Sequence, residues 1–314
     1  MRRSRRRAVG QTAGVVVRRL AALAVAVAVT SAASGLAACS SADGDGPPDV
    51  HFLAQCLNLR DTPMPPAVVC RVDGAGNVES TTAIELASGQ PFITGHDTSR
   101  VATVDAGGSI VDLIADEPVV LAAARPDAVY GFDRNGELLE LRENGEVHSI
   151  TGALLTTFAI DGIVDVHSGI DIAGTSLAFT VALDGGGFAV VIGDTATGEV
   201  REVRRSDRYI GQARWSPEGS WLALVGPDYR SVEVLAAADG SVAREIVSTD
   251  PRVSGRFNSP SWIDDQTIAV LDAVPALVEV DRDTGHVTVV RVYAPDAAAV
   301  PALPIAIAVS PSPT

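Results

Sequence analysis

Beyond an apolar N-terminal segment, the pattern of hydrophobic and polar positions shows no helical period. Short runs of β-branched and other apolar residues alternate with Gly, Asp, Asn and Pro, which predicts strands joined by tight turns. The runs repeat. Ile170-Asp-Ile-Ala-Gly-Thr-Ser-Leu-Ala178 lies over Trp215-Ser-Pro-Glu-Gly-Ser-Trp-Leu-Ala223 without a gap, at an offset of 45 residues. Trp262–Ala269 repeats the pattern with one residue fewer, and Ala124–Tyr130 is a shorter echo. Each copy reads as an apolar strand, a second strand, a turn containing Gly, and a closing strand. The turn glycines are Gly145, Gly198, Gly240 and Gly285, with Gly89 in an earlier copy that starts around Val69. Glycine supplies the positive φ such turns need, and the Asp or Asn near it can bond the turn backbone.

A four-stranded unit returning about every 45 residues predicts an all-β fold, a β-propeller. One blade cannot bury both of its faces, so the units must stack around an axis. The length available gives about six blades, with five or seven as alternatives, over residues 51–309. Five units are legible. Residues 95–117 hold a hairpin too short for a full blade, read as a degenerate sixth blade or an insertion. The apolar run PALPIAIAVSPS near the C-terminus reads as one more strand, completing the blade begun near the N-terminus. Residues 310–314 are expected to be a disordered tail.

Trp215-Ser-Pro-Glu-Gly-Ser-Trp-Leu-Ala223 resembles the W-S-P-D-G-x-x-[LI]-A motif of TolB-like propellers. The likeness is strong around 215 and 262, fair around 129 and 170, and poor before residue 115. Glu218 stands where the motif carries Asp, and the WD dipeptide of WD-type blades is absent. The resemblance implies a propeller fold, export, and action through binding. It does not carry over the role of TolB itself.

The N-terminus reads as an address. Residues 2 to 7 are Arg-Arg-Ser-Arg-Arg-Arg, an apolar run begins at Leu20, and small residues lead to Leu36-Ala37-Ala38-Cys39. A basic, then apolar, then small-residue segment is a secretory signal, expected over residues 1–38. Leu-Ala-Ala-Cys resembles the bacterial lipobox, which implies cleavage and acylation of Cys39, with palmitate-type chains as the membrane anchor. The rival reading is an uncleaved membrane helix, but the strongly apolar stretch is about half of the ~20 residues a span requires. Ser4-Arg5-Arg6 is a weak sign of twin-arginine export. Residues 39–50, rich in Gly, Pro and Asp, read as a flexible tether. The expected location is the outer face of the cytoplasmic membrane or the cell envelope.

Charge narrows the partners. The chain carries a formal net charge of -15, with 24 Arg, no Lys and 39 acidic residues. Seven of the Arg precede Cys39, so the remainder carries 17 basic against the 39 acidic residues, or -22. A body this acidic repels phosphate backbones, which excludes nucleic acid as a partner. With Cys39 assigned to the anchor, Cys56 and Cys70 form an even pair in an exported body, expected to be a disulfide, with two free buried thiols as the rival.

Motifs for chemistry are missing. No G-x-S-x-G, H-E-x-x-H, P-loop or G-x-G-x-x-G before a helix occurs in the sequence. The expectation is therefore no enzyme, no cofactor and no metal. Asp133-Arg-Asn-Gly-Glu137 has a calcium-loop look but reads better as a hairpin turn. Six residues remain as possible ligand or partner contacts. His167 with Asp165 and Asp171 would make a cation or general-base cluster at the propeller mouth. Arg204 and Arg205 belong to the one dense basic cluster of the body. Trp221 is the tryptophan most expected to be exposed, whereas Trp215 and Trp262 occupy motif positions that pack between blades. The leading functional reading is a lipid-anchored binding or scaffold module for an envelope protein. The alternatives are a propeller binding glycan or a small ligand, or a metal-dependent hydrolase or lyase using the axial funnel.

Overall fold

The computed structural model describes residues 51–57, 67–87, 92–95, 100–114, 118–227, 229–252, 254–272, 276–293 and 303–310. The signal, Cys39, the tether, His96 and the last four residues lie outside these. The described residues form strands and turns with no helix. The strands assemble into six sheets, arranged as a six-bladed β-propeller.

Blade 1 runs Ile93–Thr94, Val101–Val104, Ser109–Asp112 and Val119–Ala123, inner to outer. Blade 2 runs Ala128–Phe132, Leu138–Arg142, Glu146–Ser149 and Leu154–Thr157. Blade 3 has an inner strand in two pieces, Gly162–Val164 and Ile170–Ala173, both paired with Ser176–Leu183. Phe188–Asp194 and Val200–Ser206 follow outward. Blade 4 runs Ala213–Trp215, Trp221–Val225, Val232–Ala236 and Val242–Ile246. Blade 5 runs Phe257–Trp262, Thr267–Asp272, Ala276–Asp281 and Val287–Val292. Blade 6 takes its inner strand, Leu303–Ser310, from the C-terminal end of the chain. His51–Leu57, Val68–Asp73 and Val78–Glu85 complete it from the N-terminal end.

Blade 6 thus closes the ring with strands from both ends, His51 opposite Ser310 and Ala54 opposite Ile307. Strands from the two ends of the chain share one sheet, which fastens the ring shut. The Cys56–Cys70 disulfide ties the second strand of this blade to the third.

The alternation along each middle strand explains the stacking, because successive side chains point to opposite faces. In blade 3, Ala178, Val190 and Ile192 face blade 4, while Leu177, Phe179, Ala189 and Val191 face blade 2. The same division holds around the ring. Six apolar clusters fill the six gaps between blades, each built from two neighbours, and together they are the core. Middle strands are therefore apolar on both faces, whereas the outermost strands expose residues such as Val120, Leu154 and Val242.

Four sequence readings are settled or changed. Of the two readings of residues 95–117, the sixth blade holds and the insertion does not: the described residues belong to a four-stranded blade beginning at Ile93, whose inner strand is only two residues long. Gly89 lies outside the described residues, and the tight turn into the outer strand of the Val69 copy sits at Gly76. There Asp73 accepts from the Asn77 amide and side chain at 2.6 and 2.7 Å, and Gly76 has φ 79°. The Ala124–Tyr130 echo is out of step by one strand. It leads into an inner strand, so Gly145 turns from the second strand to the third, whereas Gly198, Gly240 and Gly285 turn from the third to the outer. At Gly240 (φ 74°) a Cβ would lie 2.9 Å from the Val203 backbone of blade 3, so only glycine fits both the turn and the approach. The final strand extends through Ser310.

Candidate functional site

The axis is occupied by protein. Arg214, on the inner strand of blade 4, is buried, and its guanidinium reaches the inner strand of blade 1, on the far side of the ring. There Nη1 donates to Thr94 Oγ1, and Nη2 donates to the Phe92 carbonyl at 3.2 Å. Asp171, on the inner strand of blade 3, stands 4.0 Å from Nη1. Burial pushes the Arg214 pKa down, and Asp171 opposes that shift. The Asp171 carboxylate also accepts the Trp215 amide at 2.7 Å, while its carbonyl accepts the Trp215 indole N–H at 3.2 Å. The Trp262 indole donates to the Arg214 carbonyl at 2.9 Å. Trp215 and Trp262 are buried in the gaps on either side of blade 4. Asp171 thus serves the joint between blades and is separate from His167.

A second cluster lies on the face where the chain crosses from blade 3 to blade 4. The inner strand of blade 3 breaks at Asp165–Gly169, where Asp165 Oδ1 accepts the His167 amide at 3.2 Å and Oδ2 accepts the Ser168 hydroxyl at 2.5 Å. Ser168 is 1% exposed and lies 3.2 Å from the Tyr209 hydroxyl, on the linker into blade 4. Tyr209 stacks on Tyr229 with centroids 6.2 Å apart at 24°, and meets Phe188 edge-on at 5.2 Å. Tyr229 belongs to the turn between the second and third strands of blade 4. It is 37% exposed and has φ 58°, the one non-glycine residue with positive φ among the described residues. Backbone bonds hold it there: its amide donates to Gly226 at 2.8 Å, and its carbonyl accepts from Phe257 at 2.6 Å. A bulky residue in this region carries strain of order 1–3 kcal/mol, and such residues concentrate at working sites.

Burial, then the Asp165 charge, raises the pKa of both tyrosines, so each phenol keeps its proton through the neutral range. His167 is exposed beside them. The arrangement offers an open aromatic face, phenolic hydroxyls and one carboxylate whose charge is met by neutral donors. Such a surface suits recognition; the Ser168 hydroxyl is buried against Asp165 and presents no accessible nucleophile.

The other sequence candidates are engaged elsewhere. Arg204 clasps Glu233 of blade 4 through two bonds of 2.7 and 2.8 Å. Arg205 pairs with Glu202 on its own strand at 2.6 Å. Trp221 is half-buried, and the Arg282 guanidinium covers its ring at 4.9 Å. Between blades 1 and 2 a cleft of about 340 Å³ is lined by Leu121, Phe132, Leu138 and Arg100. The Arg100 guanidinium there is held by Asp112 at 2.6 Å and the Gly136 carbonyl at 3.0 Å. Among the described residues no group of three or more His, Cys, Asp or Glu could hold a metal ion. Sequence reasoning missed Arg214, Ser168, Tyr209 and Tyr229. The rarity of tyrosine, four in the chain, with two in loops beside blade 4, was the available signal.

Comparison with known proteins agrees on architecture. No family profile matches the sequence, and no curated protein matches it. Among solved structures, a chain of the nidogen/laminin complex superposes with a TM-score of 0.57 at 12% identity, over 84% of this chain and 100% of that one. TolB from Acinetobacter baumannii superposes with a TM-score of 0.56 at 17% identity, over 83% of this chain and 66% of that one. The fold is that of a TolB-like propeller.

Proposed function

We propose that this chain is an exported propeller, anchored through lipid on Cys39, that binds a protein partner at the bacterial cell envelope. The observation that carries the binding role is Tyr229, an exposed aromatic residue held at φ 58° and stacked on Tyr209 beside Asp165. Backbone strain kept at a partly exposed aromatic side chain marks a working position, and exposed aromatics are the usual anchors of protein interfaces. The basic, apolar and small-residue segments ending at Cys39 support export and anchoring. Arg214 fills the axis with a positive charge, which disfavours a cation seat in the funnel and turns attention to the crossing face.

The test is crosslinking in cells followed by affinity capture from envelope membranes, comparing the parent with Tyr229→Ala. One envelope protein captured by the parent and lost from the folded variant is the expected result; identical captures overturn the assignment of this face. For the anchor, Cys39→Ala is expected to leave the membrane fraction. Retention as firm as the parent's overturns the lipid-anchor reading.

A further inference from the structure

Resting on that reading of the crossing face, we infer that the Asp165, Tyr209 and Tyr229 cluster is a subsite for a cationic side chain, a guanidinium or ammonium group presented by the partner. Three observations point the same way. The half-buried Asp165 carboxylate accepts from the His167 amide and the Ser168 hydroxyl and has the Tyr209 phenol as a further hydrogen-bonding neighbour, and no Arg or His side chain forms an ion pair with it among the described residues. All of these partners are neutral; they orient the carboxylate and leave the charge in place. Tyr229 offers an exposed ring, backed by Tyr209, and the face of such a ring attracts cations within about 6 Å of its centroid. An ammonium or guanidinium placed there meets a carboxylate and a π face together, the two features that favour a desolvated cation.

The surrounding field has the right sign. The chain after the lipobox carries -22, which draws a basic partner in at long range. Two arginines flank the tyrosines and must be counted. Arg208 precedes Tyr209 and is already engaged in an interaction of its own. Arg230 follows Tyr229 and is exposed, so it opposes an incoming cation. His167, also exposed, would oppose it when protonated. Ring stacking alone would equally suit a sugar or a proline. What selects a cation is the uncompensated Asp165 charge beside the ring.

The four tyrosines make the experiment direct. Tyrosine-selective isotope labelling gives ring signals for Tyr209 and Tyr229, with Tyr130 and Tyr293, 4% and 2% exposed, as internal controls. The purified body with its disulfide intact is titrated with N-acetyl-argininamide and with its neutral isostere, N-acetyl-citrullinamide. The expected result is a saturable shift of the Tyr209 and Tyr229 signals with the arginine probe alone. Asp165→Asn is expected to weaken it at least tenfold, and Arg230→Gln to tighten it. Should Asp165→Asn disturb the loop, Tyr229→Leu, which leaves the carboxylate in place, is expected to weaken the probe as well. Equal shifts with citrulline, shifts at all four tyrosines, no shift, or unchanged affinity in both weakening variants overturns the inference. If envelope capture depends on Tyr229 while the arginine probe fails, the partner face stands and its cationic specificity falls.

Discussion

Arg214 and Thr94 lie on inner strands of opposite blades, and the Arg214 guanidinium bonds the Thr94 hydroxyl across the axis. Two blades intervene in either direction around the ring, so one side chain connects units that share no sheet. With the Phe92 carbonyl and Asp171 as further neighbours, the charge is buried and partnered at once.

Arg214→Ala is therefore expected to cost about 3 kcal/mol, because removing one member of a buried polar set leaves the others facing a void. Arg214→Met, which refills the space, is expected to cost less. Denaturant midpoints check both, and an alanine variant as stable as the parent would show that the crossing contributes nothing.

Arg204 and Glu233 join blade 3 to blade 4 through two bonds, with the Glu233 side chain 5% exposed. Replacing Arg204 by Ala strands a buried carboxylate and is expected to cost on the order of 3 kcal/mol. A double-mutant cycle with Glu233→Gln should recover a coupling of at least about 1 kcal/mol. Additive effects would argue against a direct pair.

The Cys56–Cys70 bridge spans a sequence separation of 14 within the blade that closes the ring. Constraint of the unfolded chain over such a loop is worth about 3 kcal/mol. Reduction, or Cys56→Ala with Cys70→Ala, should lower the unfolding free energy by that order. Native unfolding curves that coincide with and without reductant would contradict it.

All four tyrosines have folded pKa values raised above 10.0, chiefly by burial. The sign follows from linkage. Below the unfolded value both states keep the proton and stability does not change on this account. Above it the unfolded chain loses protons first, so stability falls as pH rises from about 10 towards the folded values. Melting temperature should thus drop through the alkaline range, and Tyr293→Phe or Tyr209→Phe should make the drop shallower. An equal slope in both variants would remove tyrosine as the cause.

Tyr229→Gly frees the strained φ of 58° and should leave stability unchanged or raise it by up to about 1 kcal/mol, while abolishing partner capture. A variant that gained stability and kept its partner would dissociate the strain from function.

Much of the architecture could be read from spacing alone. Turns at Gly198, Gly240 and Gly285 appear where the repeat puts them, with φ of 75°, 74° and 72°. The reading slipped where blades are irregular. Spacing from Val69 points to Gly89 because the run from Thr81 looks like the strand before a turn, whereas Thr81–Glu85 belongs to the outer strand that follows the turn at Gly76. Blade 1 shows in sequence only as a short hairpin, a degenerate blade or an insertion, because its inner strand is two residues long and carries no tryptophan motif. The site was less legible. Asp165 and His167 stood out in sequence, but Asp171, six residues on, faces the joint with Trp215. Across the break at Asp165–Gly169 the two carboxylates serve different surroundings.

By itself, the order of residues determined everything that depends on near neighbours: strand alternation, glycine turns, the repeat length and the pairing of two cysteines 14 residues apart. These are local, since a period of two and a positive φ are properties of a few consecutive peptide units. The tertiary structure alone decided that Arg214 meets Thr94, that Arg204 meets Glu233, and that Ser168, Tyr209 and Tyr229 share one face. Those contacts join residues 120, 29, 41 and about 20 positions apart. Their distances are set by how six blades close into a ring, and no single blade encodes that closure.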